Sequence, residues 1–569
     1  MTESIEVIDI NTVLFKKPSW NDDQSLLAKC LSLREHGTNF IADVRTTDKA
    51  PLFKFIKECF PYFANSKDHT AYRTRIYSSL KAMYDNRDKV FHDNFFSKCQ
   101  YDNPLYGHQE EALNLMINRR CNLLSFEQGL GKTITSATMS KILSVPRTIV
   151  VCPSLVKWNW FRNMTDDWGF NTLYWSIYDR KPSQSIRAFR ERFVVINFEM
   201  VDKFFDEISK DECGHIIIDE CQYIKNHKSK RYKGVERLVK RYPNAKITLL
   251  SGTPITNRIN DLYAYLRLCN HPLGKSYQKF KDRYAVSSST RGGAKIIGSK
   301  NVDELRDRIS NFMIRKKTEE CVDLPALIVN KYFIDAEEVM ESYNQELEIL
   351  FQNKKKQDEA KDGQQKAQAG IAMKGNLHSL NRMLATSKVK TIAALIDKIK
   401  DEGRKVIVFA GYKDALSGLE EIYGDRCVKI DGSVSSHKRD ALITKFKTDP
   451  NCHVFLGNFK AAGVGINLVN ASDVIFMNFP FTPDDLEQPY KRAHRIGQTE
   501  KVNVYYTICK ETIDETIFNI ISDKTRDINE LIDAEKSGVV HYESIPNRVF
   551  KDLFKRRGIV SKGEFESVN

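Results

Sequence analysis

The sequence predicts an α/β protein with two parallel-sheet units, a helical stretch between them and a mostly helical preface. Three observations predict this class. Short apolar runs recur in two separate series along the chain, interleaved with helical spacing, as strands buried on both faces require. A glycine-rich turn, "EQGLGKT" (127–133), follows the first of these runs. A later run, "HIIID" (215–219), ends in the adjacent carboxylates Asp219 and Glu220.

At 569 residues the chain is too long for one ordinary core. Its 41% hydrophobic and 28% charged residues are a globular balance. No apolar run approaches the roughly 20 residues that a bilayer crossing needs. The start, "MTESIEVIDI", lacks the basic-then-apolar pattern of a secretory signal, so an intracellular setting, cytoplasmic or nuclear, is expected. Twelve cysteines stand singly with no CxxC pair, which argues against a zinc site or a disulfide framework. The net charge of +14 suits a polyanion such as nucleic acid as partner, and no membrane.

Residues 1–100 are expected to form the helical accessory domain, because Tyr72, Ile76, Leu80 and Met83 recur at helical spacing. The first α/β unit, 101–272, takes strands at "LLSF" (123–126), "TIVVC" (148–152), "FVVIN" (193–197), "HIIID" and "KITLLSG" (246–252). Ligands of such a unit sit at the carboxyl ends of its strands. Residues 273–385 lose the strand rhythm and read as a helical insertion, with the polar, low-complexity part 353–376 expected to be mobile. Strands return in 386–540, at "KVIVFA" (405–410), "CVKIDG" (427–432), "HVFLGN" (453–458), "DVIFMNF" (473–479) and "VNVYYTI" (502–508). Residues 541–569 read as a tail.

Between a predicted strand and a predicted helix, Gly129 and Gly131 would let backbone N–H groups close around phosphate oxygens, with Glu127, Gln128 and Leu130 completing the cradle. Lys132 would reach the terminal phosphates and the Thr133 hydroxyl would bind magnesium. Phe126 stands where the strict P-loop pattern asks for glycine. Asp219 ends a buried strand, where P-loop ATPases hold the acid that completes the magnesium site. Glu220 beside it would orient the attacking water. ATP and Mg²⁺ are the expected substrate and cofactor, and they account for two carboxylates that would otherwise repel each other.

Around this site runs an ordered series of segments. It comprises "LYGHQEEALNLM" (105–116), "VVCPSLVKWNW" (150–160), "VVINFEMV" (194–201), "DECQ" (219–222) and "LLSGTPITN" (249–257). Farther on come "FMIRKKTEECVDLPAL" (312–327), "IDGSVSSHKRDALITKF" (430–446), "AAGVGINLVNASDVIFMN" (461–478) and "QPYKRAHRIGQTEKVNVY" (488–505). The series resembles the superfamily-two helicases, and specifically the Swi/Snf-like DNA-dependent ATPases, over about 105–535. The resemblance implies two RecA-like lobes with ATP between them. It implies that Gln109 reads the adenine and that Gln488 senses nucleotide. Arg492 and Arg495 would face the triphosphate as arginine fingers, and Gly463 and Gly465 would allow close backbone approach where the lobes meet. "LLSGTPITN" would couple nucleotide state to DNA grip.

Duplex or branched DNA is the implied partner, ahead of RNA; the sequence leaves the oligomeric state open, with a monomer favoured. Lys157, Arg258 and Lys460 are candidate phosphate contacts. Gln222 replaces the histidine usual after the two acids, Phe126 an aspartate, Thr256 a glutamine, and Phe459 with Lys460 a Thr-Arg pair. These departures bear on coupling between hydrolysis and DNA movement. Three activities stay open: a translocase that remodels DNA or protein–DNA complexes, a strand-separating, branch-migrating or annealing helicase, and a nucleotide-switched clamp or scaffold.

Overall fold

The computed structural model describes residues 105–557 apart from 144, 169–174, 180–184, 186–191, 256–257, 291–292, 361, 435, 460–465, 534–539 and 542–544. In the first hundred residues it describes 4–7, 12–16, 33–36, 39–43, 52, 55–56 and 59–60. There β1 (Ser4–Val7), β2 (Thr12–Lys16), β3 (Arg34–His36) and β4 (Asn39–Asp43) form a four-stranded antiparallel sheet. This corrects the expectation of a mostly helical preface for these residues. Strands of three to five residues are too short to display a period, so the sequence hid them. Phe15 of β2 meets Phe55 edge-on at 5.2 Å and Phe60 at 5.6 Å, which packs this sheet against more distant residues of the chain. The Tyr72–Met83 periodicity lies outside the described residues.

The first lobe is built on β5 (Cys121–Phe126), β6 (Thr148–Cys152), β7 (Trp175–Tyr178), β8 (Phe193–Asn197), β9 (His215–Ile218) and β10 (Lys246–Leu250). A hairpin of β11 (Ala285–Thr290) and β12 (Gly293–Ser299) follows, and β13 (Met313–Lys316) then returns to the sheet. The seven strands run parallel in the order β13-β5-β10-β9-β6-β8-β7. Helices close both faces, and the apolar runs sit fully buried between them, which is why they read as uninterrupted rather than alternating. The order has one decisive effect. Because β10 lies between β5 and β9, the loops after all three strands emerge side by side.

The second lobe takes β14 (Leu327–Ile334), β15 (Val406–Ala410), β16 (Cys427–Ile430), β17 (Val454–Asn458), β18 (Asp473–Phe476) and β19 (Val502–Cys509). They form a parallel six-stranded sheet in the order β14-β19-β18-β15-β17-β16. A short β20 (Val540–His541) then pairs with β12 of the first lobe. Residues 353–376, expected to be a mobile insertion, belong instead to two helices, Met340–Glu359 and Gly363–Ser387. Their polar composition hid a sparse inner stripe: Leu350, Phe351, Met373, Leu377 and Leu380 are buried in the second lobe's core. Asp362 caps the second helix by accepting the Gln365 N–H at 2.7 Å. The stretch read as helical thus also carries four strands, β11 to β14.

The chain passes from β13 at the edge of one sheet to β14 at the edge of the other, so residues 317–326 form the connector between lobes. Arg162, at the end of the helix Lys157–Arg162, reaches across to Asp440 on the helix Ser436–Thr448 as an ion pair.

Candidate active site

β5 ends in Phe126, and the chain turns through Gly129 at φ 91° and Gly131 at φ 80° before the helix Lys132–Ile142 begins. Both values lie in the left-handed region that favours glycine. A side chain at Gly131 would put its Cβ 2.2 Å from Gln109 Nε2, so Gln109 could not keep its present place there. Gln109 itself is buried: its Nε2 donates to Leu130 O at 3.1 Å, and its Oε1 accepts the Tyr106 N–H at 3.1 Å. His108 Nε2 lies 2.9 Å from the same Leu130 carbonyl. In this arrangement Gln109 braces the turn from behind.

Lys132 donates to the carbonyls of Phe126 at 2.9 Å and Glu127 at 3.1 Å. Burial pulls its pKa down to about 8, with Glu220 and Asp219 pulling the other way and Arg492 and Lys491 adding to the fall. Thr133 is the second residue of the same helix.

Asp219 follows β9 and is buried. Its Oδ2 accepts the indole N–H of Trp160 at 2.8 Å and its Oδ1 accepts the Glu220 N–H at 2.9 Å. Burial and the neighbouring Glu220 carry its pKa up to about 6. Glu220 occupies a left-handed conformation at φ 49°, a strained position for a side chain of this size, which turns its carboxylate away from the strand. Its Oε2 accepts Gln222 Nε2 at 2.7 Å; Gln222 Oε1 accepts Ser251 Oγ at 2.9 Å, and Ser251 Oγ accepts the Thr253 N–H at 3.1 Å. Gln222, a departure from the expected histidine, therefore both donates and accepts, and its amide joins the acid pair to the loop after β10.

From the second lobe, Arg492 is buried against this site. Burial and the nearby Arg495 lower its pKa to about 10, while Glu220 and Asp219 of the first lobe oppose the fall. Arg495 lies over the glycine turn, since a Cβ at Gly129 would stand 3.0 Å from Arg495 Cβ. Gln488 lines a small seam cavity with Gln128, Gly252, Thr253 and Asp484. Glu127 points away from the cradle, onto Arg315 and Thr318 of the segment that leads to the second lobe.

Lys132 and Arg492 are cations in a buried seam, both with a depressed pKa, and a polyanion between them would relieve that. A carboxyl group held near 6 beside a second carboxylate is relieved by a cation. The residues present therefore fit a triphosphate with magnesium.

The nucleic-acid candidates fare differently. Lys157 is buried and donates to Tyr178 O at 3.0 Å and to Asp179 Oδ2 at 2.6 Å, so its assignment as a phosphate contact is corrected. An ammonium group removed from solvent needs such partners, and these bind it into the first lobe. Arg258 is half-buried, with its N–H 3.4 Å from Asp261 Oδ2 and its charge acting on Lys524. Lys460, Gly463, Gly465 and Thr256 lie outside the described residues. Phe126 and Phe459 are core residues. Trp160 is the residue that sequence reading missed; it stands within the quoted "VVCPSLVKWNW", but its partner is 59 residues away.

Among the described residues, no group of three or more His, Cys, Asp or Glu side chains could by itself hold a metal, and no helix is long and apolar enough to cross a membrane.

A family model of the SNF2-related domain matches residues 108–388, and one of the helicase conserved C-terminal domain matches 387–497. The chain is 28% identical over 440 residues to the Caenorhabditis elegans homolog of SWI/SNF-related matrix-associated actin-dependent regulator of chromatin subfamily A-like protein 1, covering 74% of this chain and 61% of that one. Its Xenopus laevis namesake is 28% identical over 477 residues, covering 80% and 48%. Human "DNA annealing helicase and endonuclease ZRANB3" is 25% identical over 451 residues, covering 74% and 40%. The match thus spans between 40% and 61% of these relatives' own length. A solved structure, "Sulfolobus solfataricus SWI2/SNF2 ATPase core in complex with dsDNA", is 24% identical, covers 76% of this chain and 94% of that one, and superposes at a TM-score of 0.36.

Proposed function

The chain belongs to the SNF2-related, Swi/Snf-like ATPases of helicase superfamily two, and from that membership we propose that it hydrolyses ATP to move along duplex or branched DNA and remodel DNA or protein–DNA complexes. One observation carries the reading most directly: Arg492 of the second lobe is buried where it interacts with Asp219 and Glu220 of the first.

Lys132 and the glycine turn hold the β- and γ-phosphates, and Gln109 keeps the turn in shape. Magnesium, when bound by Asp219 and Thr133, supplies positive charge against the phosphate oxygens. Glu220, oriented by Gln222, positions the attacking water and takes its proton. Arg492 and Arg495 stabilise the charge that develops on the phosphoryl group, which needs the lobes closed. Release of inorganic phosphate after hydrolysis takes away the anion that screened these cations from one another, and the seam loosens. The hydrogen bonds from Glu220 through Gln222 and Ser251 to Thr253 carry that change to the lobe boundary, where Thr253 meets Asp484.

With each lobe holding the same nucleic-acid backbone, closing and opening advance the protein along it. Grip comes from phosphate contacts, so weak sequence preference and steep salt dependence follow. Arg258 remains a candidate contact. The net charge of +14 supports a DNA partner. A second reading, strand annealing or branch migration, is supported by the name of the ZRANB3 relative.

The test is ATP turnover measured with single-stranded, duplex, forked and RNA ligands, followed by triplex-strand displacement against unwinding of a labelled duplex. Stimulation by duplex or forked DNA with hydrolysis-dependent triplex displacement is expected. Turnover indifferent to every nucleic acid would sink the reading. Displacement that proceeds without hydrolysis would leave a clamp.

A further inference from the structure

A carboxylate in a phosphate cradle repels the ligand, so Glu127 needs another reason for its place. We propose that Glu127 is a positioning residue that joins the phosphate turn, the interlobe connector and the arginine-finger segment into one unit, and that this unit governs how often Arg492 is in place for turnover rather than how tightly nucleotide binds. The inference rests on the ATP site proposed above.

Three segments converge on this one side chain. From β13, Arg315 Nη2 donates to Glu127 Oε1 at 3.3 Å, and from the start of the connector the Thr318 N–H and hydroxyl donate to Oε2 at 3.2 and 2.8 Å. From the second lobe, Lys491 Nζ lies 3.9 Å from Glu127 Oε2 and 3.2 Å from Glu487, one helical turn back. Lys491 is the residue immediately before Arg492, so the contact anchors the chain at the finger's base. Arg315 extends the unit inward, donating to Ser125 O at 3.1 Å and Gly252 O at 3.3 Å. The Glu127 N–H donates to Lys316 O at 3.0 Å.

Burial would raise the Glu127 pKa, yet Lys491, Arg315 and Thr318 outweigh it and hold the group below the ordinary value, so it stays charged near neutral pH. Both Glu127 and Lys491 are about four-fifths removed from solvent, where attraction is less screened than on an open surface. Beside the unit lies a cavity of about 800 Å³ between connector residues Thr318, Val322 and Pro325 and second-lobe residues Tyr490 and His494. The connector thus has room to swing when Glu127 releases it.

The experiment uses the full chain and compares wild type with Glu127→Gln, Lys491→Met, the double variant, Thr318→Val and Lys132→Ala. Turnover, affinity for a fluorescent ATP analogue and melting temperature are read for each. Each of the two single charge variants should lower kcat about tenfold while analogue affinity stays within about twofold. Because both residues act as one unit, the double variant should fall no further than the worse single. Thr318→Val should lower kcat in the same direction by less.

Analogue affinity that falls as far as kcat in Glu127→Gln, or single losses that multiply in the double, overturns the proposal. If Glu127→Gln melts early, Thr318→Val decides, and an unchanged kcat there overturns it. Wild-type turnover in Lys132→Ala would remove the ATP site and this unit with it. Lost turnover in Lys132→Ala with Glu127→Gln unaffected would remove the unit alone.

Discussion

Replacing Trp160 with phenylalanine removes one donor from the acid that the proposed mechanism gives to magnesium. Asp219 is buried, and its two oxygens accept one hydrogen bond each, from the Trp160 indole at 2.8 Å and the Glu220 N–H at 2.9 Å. Phenylalanine keeps an aromatic ring in the core but cannot donate. A hydrogen bond to a charged group contributes about 1.5–3 kcal/mol, and leaving that oxygen bare in a buried site forfeits it. At roughly 1.4 kcal/mol per tenfold, whatever needs an ionised Asp219 should weaken by a factor of about 10 to 150. Its carboxyl group, already carried up to about 6 by burial and Glu220, would titrate higher still. The assay is ATP turnover against magnesium concentration. The half-saturating concentration should rise by about that factor, while analogue binding without magnesium changes little. A purely structural effect would lower the melting temperature and leave the magnesium requirement alone. A half-saturating value within about twofold of wild type would refute the reasoning.

Three further predictions concern the seam and the second core. Arg492→Ala should lower single-turnover hydrolysis by roughly 10³- to 10⁵-fold while nucleotide still binds; a loss below about tenfold would remove the finger assignment. Asp484 is raised from 3.8 to about 8 by burial, then by Glu487 and Asp485, against the neighbouring Thr253 hydroxyl and Lys225, with Lys524 also facing it. A raised carboxyl group contributes seam stability that is full below about pH 4 and is lost as pH climbs through 8, so melting temperature should fall between about pH 4 and 8 and level off above that. Asp484→Asn should flatten that slope; an unchanged slope assigns it elsewhere. Lys388, fully buried, donates to Met477 O at 2.9 Å, Thr507 O at 2.7 Å and Asp514 Oδ2 at 2.5 Å. Lys388→Met should cost about 3–5 kcal/mol and lower the melting temperature by roughly 6–20 °C, and Lys388→Met/Asp514→Leu should recover much of it. A drop below about 2 °C would show that the pair contributes nothing net.

The interior strands of both sheets were legible because burial on both faces demands a continuous apolar run, and "TIVVC" or "KVIVFA" can hardly be anything else. β7, β13 and β14, each at a sheet edge, were missed, although β16, also at an edge, was found. In β14 most side chains face solvent, so "LIVNKYFI" shows neither a clean run nor a period. The glycine turn and the acid pair could be picked out because each is compact in sequence, whereas the arginine pair was implied only by the family resemblance; the fold brings all three together. Contacts between distant residues could not be picked out. Nothing near Lys157 announces that Asp179 will bury it, and nothing near Asp219 announces Trp160. The helices spanning 353–376 were obscured by composition, since a long two-helix hairpin with one narrow buried stripe is mostly polar.

The pairing of Ser299 with Val540 and Gly298 with His541 has a mechanical consequence. Among the described residues, the backbone ties the two lobes together at two places, the ten residues 317–326 and this short ladder. The ladder is only two residue pairs long, so it can be broken and remade at small cost, and while it holds it shortens the travel that the connector alone would allow.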